Sequence, residues 1–163
     1  MNTHVKSKGF AQINIVVRDI ETAAQKWADL LGVPVPEIHL NHLEGGENYT
    51  YHGRPISCDL KTAAIDMGGW VLELHEPAGG ESSFQDFLDK HGNGVHHIGF
   101  EVGGDRDAII REMSDEGYDT ARTMGIYPGS SWTIVDTEDV LGVNLNIKPK
   151  GRRPVFCAYI IDS

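Results

Sequence analysis

One structural unit is written twice in this chain, and that repeat limits the folds open to it more than any other feature. Residues 10–17 (FAQINIVV) lead through a short polar turn into a helical run at 21–31; residues 94–102 (GVHHIGFEV) lead through 103–105 into a second at 106–113. Each copy is a strand, a turn and an amphipathic helix, with Gln12 in the first holding the place of His97 in the second. Two such units complete each other's buried faces. The 163 residues are enough for one compact domain, or for two half-domains that share a core.

Punctuation along the chain extends each copy. Gly32 with prolines beyond it stops the first helix, a short strand is expected at 37–40, and 41–54 reads as a polar and aromatic loop. Residues 56–67 and 70–75 form a hairpin about Gly68 and Gly69; Ser82 and Ser83 open a helix over 84–90 that Gly92 closes. Three strands are expected in the second copy, at 120–124, 131–136 and 143–147. The chain therefore reads as α+β, two tandem β-α-β-β-β modules forming a curved sheet around a concave cavity. The modules span 8–92 (with the linker helix) and 93–148, and 149–163 is a tail.

Charge excludes some functions. With 24 acidic against 14 basic residues the formal net charge is −10, which disfavours nucleic-acid backbone binding; the basic run at 148–153 reads as a solvated tail. Two cysteines frame no disulfide scaffold or metal knuckle, and no apolar run reaches membrane-spanning length. Without an apolar signal core at the N-terminus, a cytoplasmic protein is expected, with no membrane and no nucleic-acid partner.

Strand alternation then selects residues. Gln12 and Asn14 lie opposite Ile13, Ile15 and Val17; Glu73 and His75 lie opposite Leu72 and Leu74; His97 and Glu101 lie opposite His96, Ile98 and Phe100; Asn144 and Asn146 lie opposite Leu145 and Ile147. A solvent-facing sheet shows the same alternation, but Gln12, Glu73, His75, His97 and Asn146 are ligand-type groups. A carboxylate such as Glu73 in the apolar strand WVLEL is costly to bury without a cation, and a divalent metal supplies one.

The segments 71–77 (VLELHEP), 87–102 (FLDKHGNGVHHIGFEV) and 136–147 (DTEDVLGVNLNI), in this repeat, resemble the vicinal oxygen chelate superfamily, which includes glyoxalase I, methylmalonyl-CoA epimerase, extradiol dioxygenases and bleomycin-resistance proteins. The look is nearest to the epimerase and glyoxalase I branches. The resemblance implies metal ligation by Gln12, Glu73 and His97, with Asn146 at a position where the isomerases carry a ligating, basic Glu. It implies one divalent ion (Zn, Ni, Co, Mn or Fe), with Lys61 as the base, or Asp59 two residues away. Glu101 is a second candidate base at the cavity mouth, and His75, Asn144 and Tyr127 are candidate substrate contacts. His96, on the opposite face from His97, is expected to be structural.

The activity implied is a metal-dependent isomerase, epimerase or lyase on a small oxygen-chelating substrate, by enolate-type proton transfer. The alternative is a binding or sequestering protein of the resistance type; dioxygenase chemistry ranks lower because Gln12 stands where a His would complete the ligand set. A homodimer is expected, from open strand edges and the apolar segment 154–161.

Overall fold

The computed structural model describes residues 7–45, 49–103, 105–127 and 130–149, so the tail segment 154–161 lies outside the described residues. In chain order the elements are β1 (Ser7–Val16), α1 (Ile20–Leu31), β2 (His39–Leu43), β3 (Tyr49–Tyr51), β4 (Arg54–Pro55), β5 (Cys58–Asp66), β6 (Val71–Gly80), α2 (Ser83–His91), β7 (Gly94–Val102), α3 (Arg106–Asp115), β8 (Asp119–Tyr127), β9 (Ser130–Asp136), α4 (Glu138–Leu141) and β10 (Asn144–Pro149).

These strands form one ten-stranded sheet, in the order β2-β5-β6-β1-β7-β10-β9-β8-β3-β4. Its centre is the antiparallel pair β1–β7, and each of these has a parallel neighbour outside it, β6 on one side and β10 on the other. Read outward, the two halves repeat one order: β1-β6-β5-β2 and β7-β10-β9-β8. Equivalent strands then set Gln12 against His97, Glu73 against Asn146, and His75 against Lys148.

The helices decide which face is closed. On α1, Asp19 caps the first turn by accepting from the Thr22 amide, Gly32 ends the helix at φ 67°, and Ile20, Ala24 and Ala28 are buried. This face meets Val17, Ala63 and Leu74, while α3 lays Ile109 and Met113 on Val102, Val135, Leu145 and Ile147. The other face is met by α2, whose Phe84, Phe87 and Leu88 pack on Val16, Leu60 and Ile134. Two helices thus cover one side of the curved sheet, and α2 seals part of the concave side.

The stretch 41–54, expected as a loop, is partly strand. β2 runs on to Leu43, and Tyr49–Tyr51 turns back through His52 and Gly53, both at positive φ (49° and 72°), to pair Tyr51 with Arg54. Tyr-Thr-Tyr is a strand-forming alternation. It buries Tyr49 and Tyr51 beside Ile56, Cys58 and Trp132. This hairpin pairs with β8, so residues assigned by sequence to the first module extend the sheet of the second.

Candidate functional site

Two β-bulges shape the centre of the sheet. Phe10 faces Phe100 and Ile15 faces Val95, but between them Gln12, Ile13 and Asn14 face Gly99, Ile98 and His97, a register offset by one. Ala11 is the extra residue on one strand and His96 on the other. Inside this window the pleat presents Gln12, Asn14, His97 and Gly99 to the concave side, with Glu73 from β6 and Asn146 from β10.

Their heads converge. The Gln12 amide Nε2 donates to Glu73 Oε2 at 2.9 Å and to His97 Nε2 at 2.8 Å. Gln12 is 2 % exposed, His97 2 %, Asn146 3 % and Glu73 8 %. They line a cavity of about 80 Å³ together with His75, Leu60, Thr62, Phe84, Trp132, Ile134 and Lys148. That volume admits a few water molecules or a small polar head group.

Burial pushes the His97 imidazole well below its ordinary value, and the charges of His96, His75 and Lys148 push it the same way. His75 is also lowered, chiefly by burial; the Glu73 carboxylate, 3.9 Å from His75 Nε2, opposes that shift and Lys148 adds to it. Both rings are therefore neutral near neutral pH. Because His97 Nε2 accepts from Gln12, its proton sits on Nδ1, which lies 2.8 Å from Nδ1 of His96. The tautomer of His97 thus turns its Nε2 lone pair toward the cavity.

These side chains suit a divalent ion, though as a weak set. Donor atoms about 2.0–2.3 Å from a shared ion lie about 3 Å apart, the separation seen from the Gln12 head to Glu73 and to His97. Asn146 Oδ1 is buried without a hydrogen-bond partner, as a vacant donor would be. A half-turn of the Gln12 amide exchanges its nitrogen for its carbonyl oxygen. However, no three of His, Cys, Asp and Glu gather to hold an ion among the described residues, so two of the four donors are neutral amides.

Several of the residues expected from sequence to serve the site stand elsewhere. On β5 the cavity face carries Leu60, Thr62 and Ala64, whereas Lys61 alternates to the α1 side and pairs with Glu21 at 2.9 Å and Glu76 at 3.0 Å. Those carboxylates hold Lys61 above its ordinary value, so it stays an ammonium and is no base in this cavity. Asp59 pairs with His42 Nδ1 at 2.7 Å near the surface. Asn144 gives its amide to His96 O (3.1 Å) and accepts from the Thr137 amide (3.4 Å), which fastens β10 to its neighbours; it is fully buried and is not among the cavity-lining residues. Glu101, in register with Gly9 and Lys148, is not among the cavity-lining residues. Of the proposed substrate contacts His75 alone lines the cavity; the Tyr127 side chain lies outside the described residues.

His96 does not face away from His97. The bulge lets both rings sit on the α2 side, and His96 packs against Phe84 and Phe87 at centroid separations of 4.7 and 5.3 Å. Sequence reasoning also misses two residues. Lys148, assigned to a solvated tail, is 6 % exposed and lies in the cavity wall with its ammonium on Gln12 Oε1. A signal for it exists: Lys148 is two residues beyond Asn146, hence on the same face. Gly99 is the other, since a Cβ there would stand 2.6 Å from Gln12 Cγ.

Known proteins share this architecture. Residues 11–135 match the glyoxalase/bleomycin resistance protein/dioxygenase superfamily. The mitochondrial methylmalonyl-CoA epimerase of Mus musculus is 28 % identical over 112 residues, 64 % of this chain and 55 % of that protein, so the chain spans about half the length of this curated relative. A Mycobacterium tuberculosis methylmalonyl-CoA epimerase structure superposes with a TM-score of 0.56 at 23 % identity, covering 98 % of this chain and 97 % of the other. A Streptomyces coelicolor methylmalonyl-CoA epimerase variant, in complex with 2-nitronate-propionyl-CoA, gives a TM-score of 0.57 at 26 % identity, with coverage of 91 % and 100 %. The match spans most of both repeats and the three strands that bring Gln12, Glu73 and His97 together: the chain belongs to the glyoxalase/bleomycin resistance protein/dioxygenase superfamily.

Proposed function

We propose that the chain is an isomerase of the epimerase type, moving a proton next to a carbonyl of a small, oxygen-rich acyl substrate. The observation that carries this reading is the convergence of Gln12, Glu73 and His97 in a buried polar cavity. The similarity to methylmalonyl-CoA epimerases supports it. Gln12, Glu73, His97 and Asn146 would hold one divalent ion. When bound, the ion supplies the positive charge that stabilises an enolate.

The chain's own residues do the remainder. Glu73 brings the cavity's carboxylate, held by the Gln12 amide. The His96 contact keeps the His97 lone pair directed inward. Phe84, Trp132 and Ile134 exclude water, which strengthens every charge interaction inside. His75 lines the cavity beside Glu73 and is neutral, so it can accept the substrate proton; this role replaces those assigned by sequence to Lys61 and Glu101. A cavity of about 80 Å³ takes the acyl head of a substrate such as a CoA thioester, and the remainder of such a molecule lies outside it.

The test is exchange of the substrate's α-proton for deuterium, followed by NMR with methylmalonyl-type CoA thioesters, hemithioacetals and 2-keto acids, with and without added divalent metal. Metal-stimulated exchange that is lost in Glu73→Ala supports the proposal, and tight binding with no exchange refutes it. That second result would favour a sequestering protein on the same fold, a reading prompted by Asn146, which cannot take a proton, and by Lys61 facing away.

A further inference from the structure

We propose that the Lys148 ammonium and a divalent ion are alternative occupants of one cradle, so that Lys148 sets how tightly the cavity holds metal. The inference rests on the metal reading above and deepens it. Lys148 leaves β10 on the face of Asn146, runs its stem past the bare Cα of Gly99, and ends on Gln12 Oε1. The lysine is 6 % exposed, so its charge is held inside the protein rather than extended to solvent. A methyl group at position 99 would lie 3.5 Å from Lys148 Cδ and much closer to Gln12, so the glycine gives both stems their path.

Charge balance makes the two cations rivals. The cavity wall carries one carboxylate, Glu73, and one ammonium, Lys148. A divalent ion beside Lys148 would leave the buried cluster with two uncompensated positive charges, which low-dielectric surroundings penalise. The competition is also one of atoms. Gln12 has one carbonyl oxygen, its hard donor for a metal, and Lys148 now holds it. Metal entry therefore requires the ammonium to withdraw and the Gln12 amide to turn over. Without metal, Lys148 brings a positive charge into the same cavity wall as Glu73, a carboxylate that is 8 % exposed.

The experiment is calorimetric titration of Zn²⁺ and of Mn²⁺ into the full chain, as wild type, Lys148→Met and Lys148→Arg. Methionine keeps much of the stem and removes the charge, so it is expected to tighten metal binding by at least about tenfold; Lys148→Arg, still cationic, is expected to bind as weakly as wild type. Equal affinities in wild type and Lys148→Met would overturn the competition while leaving the metal reading intact. Binding by none of the three would overturn both. If Lys148→Met folds only after metal is added, the rivalry is supported. If it does not fold at all, a metal-soaked crystal of wild type decides: Lys148 withdrawn from Gln12 supports the proposal, and Lys148 still bonded to Gln12 Oε1 beside the ion overturns it.

Discussion

Gly99→Ala adds one methyl group at the point where the two halves of the site meet. An ideal Cβ would stand 2.6 Å from Gln12 Cγ and 3.2 Å from Gln12 Cδ. Nonbonded carbons rest about 3.5–4.0 Å apart, so Gln12 must retreat by about 1 Å. It cannot do so and keep both bonds from Nε2, at 2.9 Å to Glu73 and 2.8 Å to His97. Overpacking of this kind costs about 1–3 kcal/mol, and stranding buried polar groups adds to it. Alanine recovers about 0.5–1 kcal/mol because Gly99, unlike Gly92 or Gly142, does not have positive φ. The expected net loss is about 2 kcal/mol, a fall of about 1 M in the urea midpoint for a typical small-domain slope. Metal binding should weaken with it.

The control is Gly94→Ala, whose Cβ meets the tip of the Phe87 ring at 3.4 Å and should leave the midpoint nearly unchanged. In a double-mutant cycle with Gln12→Ala, which removes the obstructing atoms, most of the Gly99→Ala cost should vanish. That coupling is expected at about 1–2 kcal/mol. A Gly99→Ala protein as stable as wild type and with intact metal affinity would refute the steric argument, and with it the claim that Gln12 is held in place by close packing.

Lys61→Met should leave α-proton exchange and metal affinity at wild-type levels, with little change in urea midpoint, because its ammonium serves partly exposed pairs with Glu21 and Glu76 on the α1 side. Acid should destabilise the metal-free protein. His75 and His97 have folded-state values below the ordinary 6.5, so the unfolded chain binds more protons as pH falls through about 6.5, and folding free energy is lost from there downward. Urea midpoints measured from pH 8 to 5 should fall below pH 6.5, and less steeply in His75→Gln. A two-fold dimer is expected, because β2 is an edge strand among the described residues and its Leu40 is 54 % exposed; light scattering that gives the chain mass at micromolar concentration would refute it.

Much of the site is legible in the sequence because period-two alternation holds within any stretch of unbroken strand. Glu73 and Asn146 lie in such stretches, and Gln12 and His97 fall inside the short window between the two bulges, so alternation still puts them on one face. Lys61 fails by the same rule applied one residue off: Leu60 and Thr62 on either side of it line the cavity, whereas Lys61 turns to Glu21 and Glu76. Lys148 is lost at a boundary. Ending the last strand at residue 147 rather than 149 turns a cavity residue into tail, and strand ends are where alternation has least sequence to work on. The β3 hairpin is obscured because its partner, β8, is more than seventy residues away at Tyr49 and Gly125, and no local pattern announces a pairing across the repeat.

His96 exposes the limit of alternation and leads to the sharpest remaining test. Its bulge exists because β7 has one residue more than β1 opposes between Asn14 and Ile15. That extra residue turns the His96 ring onto Phe84 and Phe87 and places its Nδ1 against that of His97. Since Gln12 already donates to His97 Nε2, His97 must donate from Nδ1 and His96 must accept there, with its own proton on Nε2. His96 therefore acts on the site through His97, by holding the tautomer whose lone pair faces the Gln12 amide. Replacing it with Ala leaves the His97 Nδ1–H buried with no acceptor, at a cost of about 1–3 kcal/mol, and releases the ring to exchange tautomers. Ring-nitrogen NMR distinguishes the two forms directly. Wild type should show His97 protonated at Nδ1, and His96→Ala a mixture with weaker metal affinity but no loss of the Glu73 to Gln12 contact. A wild-type His97 protonated at Nε2 would refute the chain of donors from Gln12 to His96.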